Sequence, residues 1–198
     1  AHWDTALSNG HLVYLIGNDD SHDVSDITDI ATRFTMINAD ENEAEKILSS
    51  LENGNAVGVD FPIIYDETLE QKIKRLKKNL PHITQVELND DTLLVSASKP
   101  ISKIRFIGQD GKEPKTQKNN KTGTYVIQPE DNYVRCELKF KDGTTLYLNP
   151  ITRHENNEIT KQRLDHINYP KTIILWTVYL SIISFAAYRI IKRLRNRR

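Results

Sequence analysis

The sequence predicts an α+β chain with three parts in series: a mixed strand-and-helix segment, a small immunoglobulin-like β-sandwich and one transmembrane helix. Three observations predict it. Residues 1–65 interleave strand and helix periodicities. Residues 82–152 carry short alternating runs broken by turn residues. Ile173–Tyr188 contains no charged residue.

The first part opens with a short apolar run, His11–Ile16, rich in strand formers and ended by Gly17-Asn18-Asp19-Asp20. That composition reads as a buried strand running into a loop. Between Glu41 and Leu51 the apolar residues Ala44, Ile47, Leu48 and Leu51 follow the spacing of an amphipathic helix. Asp40 is placed to cap its start and Gly54 its end. Residues 66–81 read as a connecting helix, with Leu69, Ile73, Leu76 and Leu80 near helical spacing and Pro81 as its stop.

In residues 82–152 the strands expected are Thr84–Leu88, Thr92–Ser96, Lys103–Ile107, Gly123–Ile127, Tyr133–Phe140 and Thr144–Leu148. Asp110-Gly111 and Asp142-Gly143 are hairpin signals. Such spacing predicts a sandwich. Lys115–Lys121 reads as a polar hairpin tip. Tyr125, Tyr133 and Tyr147 fit either an exposed aromatic platform or inward-facing core positions. The single cysteine, Cys136, lies in a strand-like run and excludes an intramolecular disulfide framework.

Residues 153–171 form a polar stalk, and residues 172–191 the membrane helix. About 20 residues at 1.5 Å rise cross a hydrocarbon core roughly 30 Å thick. Trp176, Tyr179 and Tyr188 suit the interfaces. The tail, residues 192–198, is basic and predicts a cytoplasmic C-terminus, with the preceding part periplasmic or extracellular. The expected partner of residues 172–191 is membrane lipid.

The formal net charge is zero, with 27 basic and 27 acidic residues. All acidic residues precede Thr172 while six basic ones follow it, leaving 21 against 27, a net −6, ahead of the helix. An acidic soluble part argues against nucleic acid as a partner, since phosphate binding needs clustered Lys and Arg. The chain opens on Ala1-His2-Trp3-Asp4 without an initiator Met or export signal. It is therefore expected to be a fragment or a processed product. Its partner would be the missing N-terminal segment or another membrane protein.

The run Gly17–Asp23 carries the candidate chemistry. Asp20 and His22, two apart, point the same way from an extended segment. A carboxylate with an imidazole suits a divalent metal ion, Zn, Mn or Fe. Asp19 and Asp23 would orient the imidazole from behind the ligands. The residues alone fit a solvated turn or a helix cap equally well. Two ligands also fall short of the three or more that a catalytic metal takes.

Several further motifs occur in order around this run. They are Trp3-Asp4, Leu7-Ser8-Asn9-Gly10, Val13-Tyr14 and Gly17-Asn18-Asp19-Asp20-Ser21-His22. Together they resemble the C-terminal part of the PHP family, the polymerase and histidinol phosphatase metal-dependent phosphoesterases. Asn38-Ala39-Asp40, Ile47-Leu48 and Leu51–Gly54 are similar to that family's last barrel helix, with Ala56-Val57-Gly58 departing from its usual G-x-x-Y step. Tyr133-Val134-Arg135, Asp142-Gly143 and Asn149-Pro150-Ile151 resemble the β-domain that follows the barrel.

The resemblance implies that residues 1–65 are the end of a distorted (β/α)7 barrel. It implies that Asp20 and His22 are its last metal ligands, and that metal-activated water hydrolyses a phosphoester. The family's earlier ligands, including an H-x-H motif, have no counterpart here. His2 and His11 fall outside any matching motif and read as surface or packing residues. The alternative function is a non-catalytic anchor or interaction subunit of a membrane complex, with a degenerate barrel remnant.

Overall fold

A computed structural model describes residues 2–23, 25–155, 158–159 and 169–195. The chain divides into two compact units, Ala1–Arg163 and Leu164–Arg198.

The first unit is built on antiparallel strands, and this overturns the barrel. Helix α1 (His2–Ser8) is followed by a strap that holds one 3-10 turn at Ile27–Asp29, then β1 (Arg33–Ile37), α2 (Ala44–Glu52) and β2 (Ala56–Asp60). A βα barrel needs parallel neighbours joined by a crossover. Here β1 and β2 run antiparallel, Arg33 opposite Asp60 and Ile37 opposite Ala56, so α2 sits on a simple reversal. His11–Ile16 is not a strand. It is extended but unladdered, and Val13 and Ile16 are exposed.

The remaining elements of the unit are α3 (Leu69–Asn79), β3 (Ile83–Asn89), β4 (Thr92–Ile107), β5 (Lys115–Val126), β6 (Tyr133–Phe140), β7 (Thr145–Leu148) and β8 (Ile151–Thr152), with a small β9–β10 pair at His154–Glu155 and Glu158–Ile159. The main sheet has eight strands in the order β1-β2-β7-β6-β4-β3, with β5 also on β4 and β8 on β6. The strands expected for the sandwich therefore join those of the first 65 residues in one sheet.

The reason lies in β4. The strands expected at Thr92–Ser96 and Lys103–Ile107 are one strand of 16 residues that passes through Lys99-Pro100. Its register against β5 shifts between Ser96 and Ile101. A bulge of this kind bends a strand and accommodates proline. Leu93, Val95 and Ala97 are buried before the shift, and Ile101, Ile104 and Phe106 after it. β4 thus lines the core along its length, with β5 following it on one side. β3 and β6 divide its pairing between the two halves. Lys115–Lys121, expected as a hairpin tip, is the first part of β5.

The core gathers Val59, Phe61, Leu138, Phe140, Leu146 and Leu148 around those β4 residues. Cys136 is buried there as a free thiol, and burial pushes its pKa up. Tyr125 and Tyr133 are core residues, not an exposed platform. Tyr125 stacks on Phe106 at 5.4 Å and donates to Asp131 at 2.7 Å.

The helix signals are largely realised. Gly54, at φ +71°, follows the end of α2 in the left-handed conformation. The start of α2 is Glu43, without a side-chain cap, and not Asp40. α3 opens on a capping box between Thr68 and Gln71. At its other end Lys99 donates to the Asn79 carbonyl at 2.7 Å, a cation on the negative end of the helix.

The second unit contains α4 (Tyr169–Arg195), 27 residues long. It is long and apolar enough to cross a membrane, with mean hydropathy 1.7 over its most apolar 18 residues. Thr177 and Ser181 donate to the carbonyls of Ile173 and Thr177, so these hydroxyls are satisfied within the helix. Lys192, Arg193 and Arg195 fill its last turn. Most of the stalk and the last three tail residues lie outside the described residues.

Candidate functional site

The strap between α1 and β1 crosses one face of the sheet, and the sequence explains how it can. Gly58 in β2 and Gly17 in the strap remove the side chains that would obstruct it. A Cβ on Gly58 would lie 2.6 Å from Leu15 Cδ2, and one on Gly17 would lie 2.5 Å from the Phe34 carbonyl oxygen. The Asn149 side chain accepts from Leu15 N at 2.7 Å and donates to the Gly54 and Ala56 carbonyls. Thr35 Oγ1 accepts from Gly17 N at 2.8 Å and donates to Gly17 O at 3.1 Å. Strap, β1 and β2 are thereby laced together.

The candidate metal residues sit at the end of this strap, and they have separate surroundings. Asp19 faces inward. Its carboxylate accepts from the backbone N–H groups of Ala31, Thr32 and Arg33 and from the Thr32 hydroxyl. Burial pushes its pKa up, but these donors outweigh it and hold the carboxyl below its usual value. Asp19 therefore pins the strap to the turn entering β1. Asp23 accepts from Ser25 N at 2.8 Å and from its hydroxyl at 2.6 Å, which lowers its pKa. Asp20 and His22 are both exposed, with Asp20 at φ 55°. Among the described residues no three His, Cys, Asp or Glu side chains gather as a metal would require. His2 and His11 are exposed.

A different constellation occupies the strap-covered face. Asp4, buried in α1, receives two bonds from Arg135: Nε to Oδ1 at 2.7 Å and Nη2 to Oδ2 at 2.8 Å. The Tyr133 hydroxyl donates to the same carboxylate at 3.1 Å. The Trp3 ring lies 4.6 Å from the guanidinium. Arg135 also donates to Glu137 at 2.7 Å, Glu137 accepts from Arg105 at 2.7 Å, and Arg105 reaches Glu113 at 3.4 Å. Charges thus alternate from Asp4 through Arg135, Glu137 and Arg105 to Glu113. The register of the sheet sets this row, since Arg105 stands opposite Glu137.

Beside the row lies an open groove of about 360 Å³, lined by Trp3, Leu15–Asn18, Arg33, Gly58–Asp60, Arg135, Glu137 and Tyr147. No known protein family, characterised protein or solved structure matches the chain. The groove is therefore read from its own chemistry. Its aromatic walls are Trp3 and Tyr147. Arg33 and Asp60, only 4.0 Å apart at closest and both well exposed, present a donor fork and an acceptor. Burial, then the charges of Asp60 and Glu137, push the Tyr147 pKa up, so its hydroxyl stays protonated. Flat apolar walls with donors and acceptors at the rim suit recognition of a small polar ligand or a short peptide segment.

Tyr147 stands out in the sequence as an aromatic strand residue, while Arg33 and Asp60 fall in no motif there. The available signal was in the strands: Arg105, Arg135 and Glu137 fall on alternate positions, where a solvent-facing side would show mixed polar residues without paired charges.

Proposed function

We propose that this chain is a membrane-anchored interaction subunit. The sheet unit recognises a partner or ligand through the groove, and α4 holds it at the membrane. The sheet unit lies outside the cytoplasm, and the basic tail lies inside. The observation that carries the reading is α4, whose apolar side chains are uncovered around its circumference and whose last turn is basic. Water does not tolerate such a surface, and hydrocarbon does. Positive charge directly after a span favours the cytosolic side. The phosphoesterase reading depended on a barrel, and the chain folds as an antiparallel sheet.

The experiment is fractionation with alkaline carbonate, paired with protease treatment of intact cells. The chain should remain in the membrane pellet. Leu180→Arg, which puts a charge mid-span at about 2.5–3.5 kcal/mol, should release a large fraction. External protease should digest the sheet unit and spare a tail epitope. Carbonate release of the native chain refutes the anchor, and protection of the sheet unit refutes the orientation. A photo-crosslinking residue at Tyr147 should give one discrete adduct in membranes, and the same residue at Leu48 on α2 should give none. Equal labelling at the two positions refutes the groove as the recognition site.

A further inference from the structure

We infer that the sheet unit carries a second membrane contact: the loop Ile63–Tyr65, with Leu69 and Ile73 of α3, dips into the headgroup layer of an anionic bilayer. This rests on the anchor reading above, which brings a bilayer within reach of the unit.

The first ground is exposure. Ile63, Ile64, Tyr65, Leu69 and Ile73 are 40–73 % exposed, and all five fall within eleven residues of one another. Scattered apolar residues on a surface need no explanation, but a concentrated patch marks a binding surface. The second ground is rigidity. Arg75 donates to the Pro62 carbonyl at 3.0 Å, forms an ion pair with Glu67 and lies 4.2 Å from the Phe61 ring centroid. Both ends of the loop are fastened to α3, and Asp66 turns through φ 70° between them. The apolar tip is presented by a fixed support and is not a frayed segment.

The third ground chooses lipid over protein. Leu69, Ile73 and Lys77 follow one another at four-residue spacing, so the apolar stripe on α3 continues into a cation. Lys74 and Lys78 are exposed beside it. The nearby Glu67 carboxylate is already committed to Arg75, leaving Asp66 beside the loop and Glu70 on the helix as the exposed acids against Lys74, Lys77 and Lys78. An apolar stripe edged by lysines, with a tyrosine at its most exposed point, is the pattern of an interfacial helix on acidic lipid.

The test uses the full chain in lipid nanodiscs, with Ile64→Cys carrying an environment-sensitive NBD label. Cys136 is buried and stays in place. Leu48→Cys is the exposed control. In phosphatidylcholine–phosphatidylglycerol discs the label at 64 should shift to the blue and be quenched by doxyl lipids, and the label at 48 should do neither. Replacing Lys74, Lys77 and Lys78 by Gln should weaken the contact about fivefold per lysine and remove its dependence on phosphatidylglycerol. Quenching of Trp176 in a Trp3→Phe background reports helix insertion separately. Trp176 quenched with a water-like label at 64 overturns the inference while leaving the anchor standing. Trp176 unquenched overturns both. A blue-shifted label at 64 that doxyl lipids do not quench means the loop is covered by protein, and also overturns it.

Discussion

Removing the Asp4 carboxylate tests the central packing of the sheet unit. Asp4→Ala leaves a buried guanidinium without its bidentate partner and the Tyr133 hydroxyl without its acceptor. The remaining contacts of Arg135 are Glu137, which itself is shared with Arg105, and the face of Trp3. Deleting one member of a buried ion pair costs about 3–5 kcal/mol, because the other charge remains desolvated. For a unit of this size each kcal/mol moves Tm by about 2–4 °C, so the expected loss is about 6–20 °C. The assay is thermal unfolding of the detergent-solubilised full chain, followed by Trp3 fluorescence in a Trp176→Phe background. Replacing both partners by apolar residues, Asp4→Leu with Arg135→Met, should recover most of that loss, since no buried charge is left. The pH dependence has a fixed sign. Burial raises the Asp4 pKa, but the hydrogen bonds and charge of Arg135 outweigh it and hold the pKa below the ordinary 3.8. The carboxylate therefore contributes its full stability above about pH 4 and loses it as pH falls through the lowered folded value. Asp4→Ala should flatten that part of the acid limb. A loss below about 1 kcal/mol would refute the assignment of Asp4 and Arg135 as the pair that docks α1 on the sheet, as would additive losses in the double variant.

The strap gives two further predictions. Asp19→Ala strands three backbone N–H groups at the entry to β1 and should cost about 2 kcal/mol, while Asp20→Asn, which tolerates the left-handed backbone at that position, and His22→Ala, both exposed, should each stay within about 0.5 kcal/mol by the same unfolding assay. Gly17→Ala drives a methyl into the Phe34 carbonyl and should cost about 1–3 kcal/mol; an unchanged Tm would mean the strap is not held against β1 as described.

Local chemistry was legible in the sequence, and long-range pairing was not. α4, α2, α3 and the strands from Tyr133 to Leu148 each carry their own periodicity or caps, and each forms near where that signal lies. What failed was assembly. Strand periodicity is the same whether the neighbour is parallel or antiparallel, so Arg33–Ile37 and Ala56–Asp60 gave no sign that they pair with one another and with β7. Lys99-Pro100 is a turn signal by composition, but its proline sits where the register already shifts and no ladder bond is lost at that point. The strap misled for a related reason. Its apolar run has the composition of a buried strand, yet it lies across a sheet face and hides only some of its side chains. The motif read from Asp19 to His22 then divides by burial. Asp19, the member that points inward, is a structural fastener, and Asp20 and His22 are left at the surface. The face that the strap partly covers holds the paired charges, and the groove opens beside them. A covering segment of this kind creates a groove by what it leaves uncovered, and no single stretch of sequence records that.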